Sequence, residues 1–360
     1  MNIELPISKS IANRLLILQA IHGDELMPVS DSMPDDVRMM SEAIRLLGEK
    51  REARIDLGNC GTAMRFLTAY CAQLEGQTII LDGVERMHHR PIGQLVDALR
   101  EIGADIEYLG EEGFPPLRIK GCTLDKHRIV TINNPQSTQF VSALLLIGAN
   151  VQTNSTSPYI TLTRTLIEQY ALTSSPYRLS PIALERDWSS AAFWYEYVAL
   201  YGSEITLLGL SRDSLQGDKI VADIFAHLGI HTTYTAEGIT LSPIAYSEAS
   251  YSPLSGRPIA AQAASRSKIL VQDFGNCPDL YPAVALTCER LGIELHATGV
   301  ESLPLKESDR LRAVREHRTD ADHRMAMALL IAGYEVDDTA CISKSYPNFI
   351  EHFRHINSLK

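Results

Sequence analysis

A short strand runs into a helix at Leu5-Pro6-Ile7-Ser8-Lys9-Ser10-Ile11-Ala12-Asn13-Arg14. Pro6 ends the strand, and Ser10 is predicted to cap the helix, because a serine hydroxyl accepts a hydrogen bond from a helical N–H group. Arg14 then lies one turn further along the same face, and the positive end of the helix dipole points the same way. The stretch therefore predicts an anion site. The alternative is an ordinary helix start that carries two solvated cations.

The pattern of this stretch recurs along the chain, which favours the anion site. A polar start precedes about ten residues that are apolar nearly all round, as in a fully buried helix. These buried helices are predicted to begin at Ser10, Thr62, Ser137, Ser189, Asp279 and Asp322. After most of them come a strand and a second, amphipathic helix, predicted at residues 37–47, 91–102, 162–171, 219–228, 309–317 and 348–356.

The segments between these helices carry β-branched or alternating residues bounded by Gly, Pro or Asn, which is typical of strands. Strands are predicted at residues 78–81, 106–109, 117–120, 128–132, 204–208, 231–235, 239–241 and 294–298. Residues 246–267, rich in Ser, Ala and Pro, are predicted to form an exposed loop. The sequence therefore predicts an α/β fold of six repeats, each with a buried helix, a surface helix and short strands.

Length and composition predict two domains. A chain of 360 residues with 45% hydrophobic content can bury a large core. The simplest division places three repeats in each domain, with the crossover in the Pro- and Ser-rich residues 173–181. The first domain is then 8–183, and the second is 1–7 plus 184–360.

The charge and the cysteines exclude several classes of protein. A net charge of −11 argues against a nucleic-acid or anionic-membrane surface, because such binders concentrate basic charge. The six cysteines show no CxxC pair and no metal-ligand spacing, so we expect free thiols and a cytoplasmic location. The first residues lack the pattern of a signal peptide, and no apolar run reaches the roughly 18 residues that span a bilayer.

Lysines and arginines accompany the predicted helix starts of this acidic chain. They are Lys9, Arg14, Arg65, Arg86, Arg90, Lys306, Arg310, Arg324 and Lys344. Many lie beside a glycine or a hydroxyl-capped helix start, where backbone N–H groups face outward. The repeated context predicts small polyanionic ligands, although any one of these cations taken alone reads as an ordinary surface residue.

Two acids and a histidine stand among these cations. A carboxylate such as Asp279 or Glu307 beside positive charges keeps a low pKa and can hold a hydroxyl group or transfer a proton. For Asp279 the alternative is a plain helix cap, and for His323 the alternatives are a proton carrier or a packed histidine. The chain has no GxGxxG, P-loop, HExxH or GxSxG motif, so nucleotide-binding, zinc-protease and serine-hydrolase chemistry have no support.

Seven motifs, in order along nearly the whole chain, resemble the EPSP synthase (3-phosphoshikimate 1-carboxyvinyltransferase) family. They are Ser8-Lys9-Ser10 with Asn13-Arg14, Gly58-Asn59-Cys60-Gly61-Thr62-Ala63-Met64-Arg65, Arg86-Met87 with Arg90-Pro91-Ile92, Gln136-Ser137-Thr138-Gln139-Phe140, Gln216-Gly217-Asp218, Lys306-Glu307-Ser308-Asp309-Arg310 and Asp322-His323-Arg324-Met325-Ala326-Met327. The resemblance implies an inside-out α/β fold of two domains, each with pseudo-threefold symmetry from three helix-and-strand repeats. This agrees with the six repeats.

The resemblance implies transfer of the enolpyruvyl group of phosphoenolpyruvate to the 5-hydroxyl of shikimate 3-phosphate, with release of phosphate. It implies no metal and no organic cofactor. Both substrates are phosphorylated carboxylates, which explains why an acidic chain gathers many cations. These two small molecules are the expected partners, with no nucleic acid and no membrane, and we expect a monomer.

The resemblance also implies roles for individual residues. The catalytic residues would be Lys9, Asp279 and Glu307. Shikimate 3-phosphate would be bound by Lys9, Ser10, Arg14, Ser137, Thr138, Thr156, Tyr159, Asp279, Ser302 and Lys306. Phosphoenolpyruvate would be bound by Lys9, Asn59, Gly61, Arg90, Gln139, Arg310, Arg324 and Lys344.

This sequence departs from the family pattern at several positions. Thr156 replaces a serine, Ser302 an asparagine and Phe66 a proline. Only residues 311–321 separate Arg310 from the next motif, so the fifth repeat is predicted to be shortened. Two alternatives stay open: a non-catalytic homologue that binds a phosphorylated ligand or a partner protein, and UDP-N-acetylglucosamine enolpyruvyl transferase. The latter family has a loop cysteine that residues 84–90 lack.

Overall fold

A computed structural model of the chain describes residues 2–172, 185–244, 250–251, 258–259 and 269–358. The chain divides into two units. Unit 1 comprises Met1–Ser8, Ser32–Pro34 and Leu184–Lys360, and unit 2 comprises Lys9–Asp31 and Asp35–Ala183. The structure therefore has a core within each unit, and the two are described separately.

Helices and strands alternate along the described residues. The helices are α1 (Lys9–His22), α2 (Asp35–Glu49), α3 (Gly61–Ala72), α4 (Gly93–Glu101), α5 (Thr138–Leu146), α6 (Pro158–Leu172), α7 (Trp188–Tyr201), α8 (Val221–His227), α9 (Tyr281–Leu291), α10 (Arg310–Glu316), α11 (His323–Ile331) and α12 (Phe349–Ser358). The strands are β1 (Asn2–Glu4), β2 (Glu52–Asp56), β3 (Thr78–Asp82), β4 (Asp105–Tyr108), β5 (Leu117–Lys120), β6 (Ile129–Thr131), β7 (Asn150–Gln152), β8 (Ile205–Leu208), β9 (Ile230–Tyr234), β10 (Gly238–Pro243), β11 (Ser250–Tyr251), β12 (Pro258–Ile259), β13 (Ile269–Asp273) and β14 (Glu294–Thr298).

In unit 2, three apolar helices form the interior. Helices α1, α3 and α5 pack against one another, and every residue of α3 from Ala63 to Ala72 is buried. A four-stranded sheet has the order β2-β3-β5-β4, with β2 and β3 parallel and β5 antiparallel to both neighbours. Strands β6 and β7 form a separate parallel pair. Helices that are apolar all round are buried all round, as the hydrophobic pattern requires.

Unit 1 is built in the same way. Helices α7, α9 and α11 pack together, and α7 is buried from Trp188 to Leu200. The four-stranded sheet has the order β1-β8-β10-β9, with β1 and β8 parallel and β10 antiparallel to both neighbours. Strands β13 and β14 pair in parallel, and β11 pairs with β12 in antiparallel orientation.

All six predicted pairs of buried and amphipathic helices are present, with bounds that differ by at most about one turn. Two predicted caps are confirmed. Ser137 accepts a hydrogen bond from the Gln139 N–H at the start of α5, and Asp322 accepts one from the Arg324 N–H at the start of α11. The sequence predicts these two caps correctly because each capping hydrogen bond joins residues only two positions apart.

Four other predicted helix starts are wrong in detail. Helix α1 already begins at Lys9, so Ser10 is not its cap. The thiol of Cys60 caps α3 in place of Thr62, and Asp187 caps α7 in place of Ser189. Asp279 lies in a 3₁₀ turn, Pro278–Leu280, before α9. Its carboxylate contacts cationic side chains, because long-range ion pairs outweigh the local capping preference there.

The sequence patterns missed several strands. The strand predicted before Pro6 is present as β1, whereas β2, β7, β13 and the β11–β12 pair were not predicted. The β11–β12 pair lies inside the predicted loop 246–267, whose other residues lie outside the described ranges. The missed strands are short, and their pairing with distant strands decides them more than their own propensity does. The predicted crossover at residues 173–181 lies outside the described residues.

The short connection in the fifth repeat follows an unusual backbone path. After α10, three non-glycine residues have left-handed φ angles: His317 at 51°, Asp320 at 46° and Ala321 at 56°. Asp322 follows at once and caps α11. Within the described residues, no helix is long and apolar enough to cross a membrane.

Candidate active site

In unit 2, two arginines meet at the start of α3. The Arg65 guanidinium donates from Nη1 to Gln139 Oε1 at 2.9 Å and to the Gly61 carbonyl at 3.3 Å. The Arg90 guanidinium donates from Nη1 to the Asn59 carbonyl at 3.0 Å and to Asn59 Oδ1 at 3.3 Å. The structure thus brings together Asn59, Gly61, Arg90 and Gln139, which are predicted to bind phosphoenolpyruvate. Arg65 joins this cluster; the sequence placed it among the helix-start cations, but the family resemblance gave it no substrate contact.

The described residues supply no counter-ion to this arginine cluster. Burial lowers the pKa of Arg65 to about 9, and the positive charge of Arg90 acts in the same direction. Among the described residues, no carboxylate lies within ion-pair distance of Arg14, Arg65 or Arg90. Buried cations without a counter-ion are unfavourable, so the cluster is suited to take up an anion.

A third arginine of unit 2, Arg14, is buried, and its guanidinium donates hydrogen bonds to the polar groups around it. Its guanidinium donates to Thr163 Oγ1 at 2.7 Å, to the Ser10 carbonyl at 2.7 Å and to Ser142 Oγ at 3.1 Å. It also lies over the ring of Phe66, 5.2 Å from the centroid. Burial lowers the pKa of Arg14 to about 10. Thr163 lies on α6 and Ser142 on α5, so the fold alone brings these hydroxyl groups to Arg14.

Lys9 begins α1 and forms an ion pair with a residue that the sequence analysis missed. Its ammonium group lies 2.8 Å from Oδ2 of Asp36, in the first turn of α2. Aspartates in a first helical turn are common, so only the fold distinguishes Asp36 from any other helix-start acid.

In unit 1, the carboxylate of Asp279 forms ion pairs with three cationic side chains. Asp279 Oδ1 lies 2.7 Å from Arg310 Nη1 and 3.6 Å from Lys306 Nζ, and Asp279 Oδ2 lies 2.9 Å from Arg324 Nη2. Burial alone would raise the pKa of Asp279, but the charges of Arg324, Lys306 and Arg310 outweigh it and hold that pKa well below the usual 3.8. Asp279 is therefore a carboxylate at neutral pH and can accept a hydrogen bond from a hydroxyl group.

A second carboxylate, that of Asp322, also forms an ion pair with Arg310. Arg310 Nε lies 2.8 Å from Asp322 Oδ2, and the two side chains are 2% and 0% exposed. Burial opposes both charges, yet the charge of Arg310 lowers the pKa of Asp322, and the charges of Asp322 and Asp279 raise that of Arg310. Arg310 is thus held between Asp322 and Asp279.

The second predicted acid, Glu307, lies in a buried group of the same unit. Its Oε2 is 2.7 Å from His323 Nδ1, and its Oε1 is 3.1 Å from Lys344 Nζ. Glu307, Asp322 and His323 offer ligand atoms within 4.8 Å of one another, as a metal site would. Both carboxylates already pair with Lys344 or Arg310, so the surroundings suit a proton-transfer group better than a cation site.

The remaining predicted residues lie around these clusters. Tyr159 is in the first turn of α6, and its carbonyl accepts from Thr163 Oγ1 at 2.8 Å. Thr138 begins α5, Thr156 is exposed before α6, and Ser302 precedes a short 3₁₀ turn, Leu303–Leu305. Their contacts with substrate stay predictions.

Comparison with known proteins identifies the family. The sequence profile of the EPSP synthase (3-phosphoshikimate 1-carboxyvinyltransferase) family matches residues 1–319 and 315–353. The chain belongs to the EPSP synthase family. A 3-phosphoshikimate 1-carboxyvinyltransferase of Bacteroides fragilis is 36% identical over 410 residues, which are 98% of this chain and 94% of the relative. One from Cellvibrio japonicus is 31% identical over 434 residues, 99% of this chain and 96% of the relative.

Solved EPSP synthase structures support the same fold. An EPSP synthase from Acinetobacter baumannii superposes with a TM-score of 0.64 at 18% identity, covering 99% of this chain and 95% of that one. The predicted α/β fold of the EPSP synthase family is therefore confirmed. The preference for this family over UDP-N-acetylglucosamine enolpyruvyl transferase is confirmed as well.

Proposed function

We propose that the chain transfers the enolpyruvyl group of phosphoenolpyruvate to the 5-hydroxyl of shikimate 3-phosphate and releases phosphate. Membership of the EPSP synthase family supports this proposal. The observation that carries it is the pair of buried arginines, Arg65 and Arg90, which lack a carboxylate partner among the described residues. Each substrate bears a phosphate and a carboxylate, which are the groups that arginines bind best.

Unit 2 would supply much of the anion binding. Asn59, Gly61, Arg90 and Gln139 form the part of the phosphoenolpyruvate site in this unit, with Arg65 as the addition from the structure. Lys9, Ser10, Arg14, Ser137, Thr138, Thr156 and Tyr159 are the proposed contacts for shikimate 3-phosphate in the same unit. Arg14 is only 2% exposed, so we propose that it mainly holds Ser10 and Tyr159 in place for the substrate.

Unit 1 would supply two of the proposed acid–base groups, Asp279 and Glu307. A proton is added to the methylene carbon of phosphoenolpyruvate, and the substrate hydroxyl oxygen bonds to the adjacent carbon as it loses its own proton. Asp279 is the proposed acceptor of the hydrogen bond from that hydroxyl, while Lys9 and Glu307 are the proposed proton-transfer groups. The adduct then loses a proton from its methyl group, and the carbon–oxygen bond to phosphate breaks.

Cationic side chains of unit 1 would stabilise the charges of this adduct. Arg310, Arg324 and Lys344 are the proposed phosphoenolpyruvate contacts, and Lys306 and Ser302 the proposed shikimate 3-phosphate contacts. Arg310 is held between two carboxylates, so its position is fixed before substrate arrives. Such preorganised charge is the largest contribution to many enzymatic rates.

The proposed activity is tested by phosphate release. Purified protein is mixed with shikimate 3-phosphate and phosphoenolpyruvate, together and singly, beside a Lys9→Met variant. We expect release that requires both substrates and is lost in the variant. Binding of shikimate 3-phosphate without any phosphate release would favour the alternative of a non-catalytic homologue.

Alanine at Gly61 is expected to weaken phosphoenolpyruvate binding. A Cβ atom at this position would lie 2.5 Å from Arg90 Nη2 and 2.6 Å from Arg65 Nη1, so both guanidinium groups would have to move. Misplacing charge-assisted bonds worth about 1.5–3 kcal/mol each predicts a KM for phosphoenolpyruvate raised about tenfold or more. Steady-state kinetics at saturating shikimate 3-phosphate measure this.

Gly48→Ala is the matched control for this substitution. Gly48 lies within α2, and a Cβ there meets no described atom within 4 Å. We expect an unchanged KM and a stability gain of about 1 kcal/mol from helix propensity. Equal effects of the two substitutions on KM would contradict the proposed role of the Gly61 cluster.

We propose that the two units are the two domains of the enzyme, with boundaries near residues 8 and 183. We also propose a cytoplasmic monomer. All six cysteines are free thiols, which supports a reducing compartment. Size-exclusion chromatography with light scattering tests the monomer.

A further inference from the structure

The ion pair between Lys9 and Asp36 lies inside unit 2, where α1 and α2 pack against each other. Its nitrogen–oxygen distance is 2.8 Å, and the side chains are 14% and 5% exposed. Asp36 belongs to none of the motifs that indicate the family. The pair thus joins the lysine of the first motif to a buried acid that those motifs do not include.

The place of Asp36 in its helix explains why a buried carboxylate is tolerated there. It is the second residue of α2, where the helix dipole stabilises negative charge. The adjacent Asp35 lies in the same helical turn but in a different environment, since it pairs with Arg38 and its side chain is 34% exposed. Of the two neighbouring acids, only Asp36 is turned inward to Lys9.

A buried carboxylate restricts the lysine that it holds. A lysine side chain has a flexible four-carbon stem, so a solvated ammonium group samples many positions. A short charge-assisted hydrogen bond selects one of them. An ammonium group has three N–H donors, so the bond to Asp36 is compatible with further bonds to a substrate.

We propose that Asp36 is a positioning residue, which holds the Lys9 ammonium where it can transfer a proton and contact substrate. This inference rests on the role of Lys9 in the proposed function. It predicts a specific kinetic signature for loss of the Asp36 charge. Lys9 would lose the restraint that Asp36 provides, which lowers kcat, while removal of one negative charge beside the ammonium would not weaken its attraction for the anionic substrates, so KM would not rise.

The test compares Asp36→Asn with Asp35→Asn, which removes the same charge from the same helical turn without touching Lys9. We measure kcat, the KM for both substrates and the thermal midpoint. Asp36→Asn is expected to lower kcat about ten- to hundredfold with KM unchanged or lowered, and Asp35→Asn to match the wild type. Equal kcat in the two variants, or a raised KM at unchanged kcat, would overturn the proposal.

Asp36→Glu keeps the comparison decisive if Asp36→Asn does not fold. It retains the charge but moves the carboxylate by one methylene group, so positioning predicts a kcat reduced at least about threefold without a higher KM. A kcat equal to that of the wild type would show that the position of the carboxylate does not matter. That result also overturns the proposal.

Lys9→Met separates failure of this inference from failure of the proposed function. If Lys9→Met turns over at the wild-type rate, the proposed role of Lys9 is wrong, and the inference falls with it. If Lys9→Met loses turnover while Asp36→Asn matches Asp35→Asn, only the inference about Asp36 is wrong.

Discussion

Replacing Asp322 by alanine is expected to lower the free energy of unfolding by about 3–5 kcal/mol, because it breaks a buried ion pair from one side. Arg310 would keep its charge at 2% exposure and lose its 2.8 Å partner. Helix α11 would lose its cap as well. Chemical denaturation monitored by circular dichroism measures the change.

Asp309→Ala is the matched control for Asp322→Ala. Asp309 also caps a helix, since it accepts from the Arg312 N–H at 3.2 Å at the start of α10. Loss of a cap alone costs about 1 kcal/mol. If the two variants lose the same stability, the buried pair contributes nothing beyond the cap, contrary to this prediction.

The effect of Asp322→Ala should depend on pH with a definite sign. Burial of the Asp322 carboxylate raises its pKa, but the positive charge of Arg310 outweighs burial and holds the pKa of Asp322 below its ordinary 3.8. A carboxylate whose pKa is lower in the folded state stabilises the fold at any pH above its pKa in the unfolded chain. This stabilisation is lost as the pH falls through its pKa in the folded protein. The difference between wild type and variant should therefore be largest above about pH 4 and shrink below it.

Replacing Asp279 by asparagine is expected to lower kcat about 10²- to 10⁴-fold, the usual contribution of an acid–base group. An amide cannot accept the hydroxyl hydrogen bond as strongly as a carboxylate, and it leaves Arg310 and Arg324 with one negative charge fewer. Shikimate 3-phosphate should still bind, since most of its proposed contacts do not involve Asp279. Single-turnover kinetics and calorimetry separate these two results.

Asp273→Asn is the control for Asp279→Asn. Asp273 lies at the end of β13, where its carboxylate accepts from the Gly275 N–H at 2.8 Å. We expect wild-type kcat from this variant. A kcat for Asp279→Asn above a tenth of the wild-type value would mean that Asp279 does not hold the reacting hydroxyl.

The pH profile gives a second test of Asp279. Although burial raises its pKa, the cations Arg324, Lys306 and Arg310 hold that pKa well below 3.8, so the carboxylate stays ionised through the neutral range. An acid limb in the wild-type profile between about pH 5 and 8 must then come from another group. If Asp279→Asn removes such a limb, the pKa of Asp279 is not lowered as the ion pairs require.

Short-range features of this protein could be read from the sequence. The six apolar helices follow from the spacing of their own residues, and Ser137 and Asp322 cap helices through bonds that span two residues. The motifs around Lys9, Gly61 and Arg310 were enough to indicate the family. The helices, the caps and each single motif depend only on neighbours within about one or two turns of a helix.

Strand pairing could not be read in this way. Strand β2 joins β3 across a whole helix, and β13 joins β14 in the same way. Both strands are short and half-exposed, so their own residues give little signal. The register with a distant strand supplies the hydrogen bonds that make them strands.

The partners of the charged residues were decided by the tertiary structure alone. Asp36 lies 27 positions from Lys9, and Thr163 lies 149 positions from Arg14. Asp279 looks like a helix cap in the sequence, yet its environment comes from cations that follow it in the chain by 27 to 45 positions, from Lys306 to Arg324. An ionic bond requires only that two side chains be close in space. The sequence determined which charges this protein carries, and the packing of its helices determined which of them form ion pairs with one another.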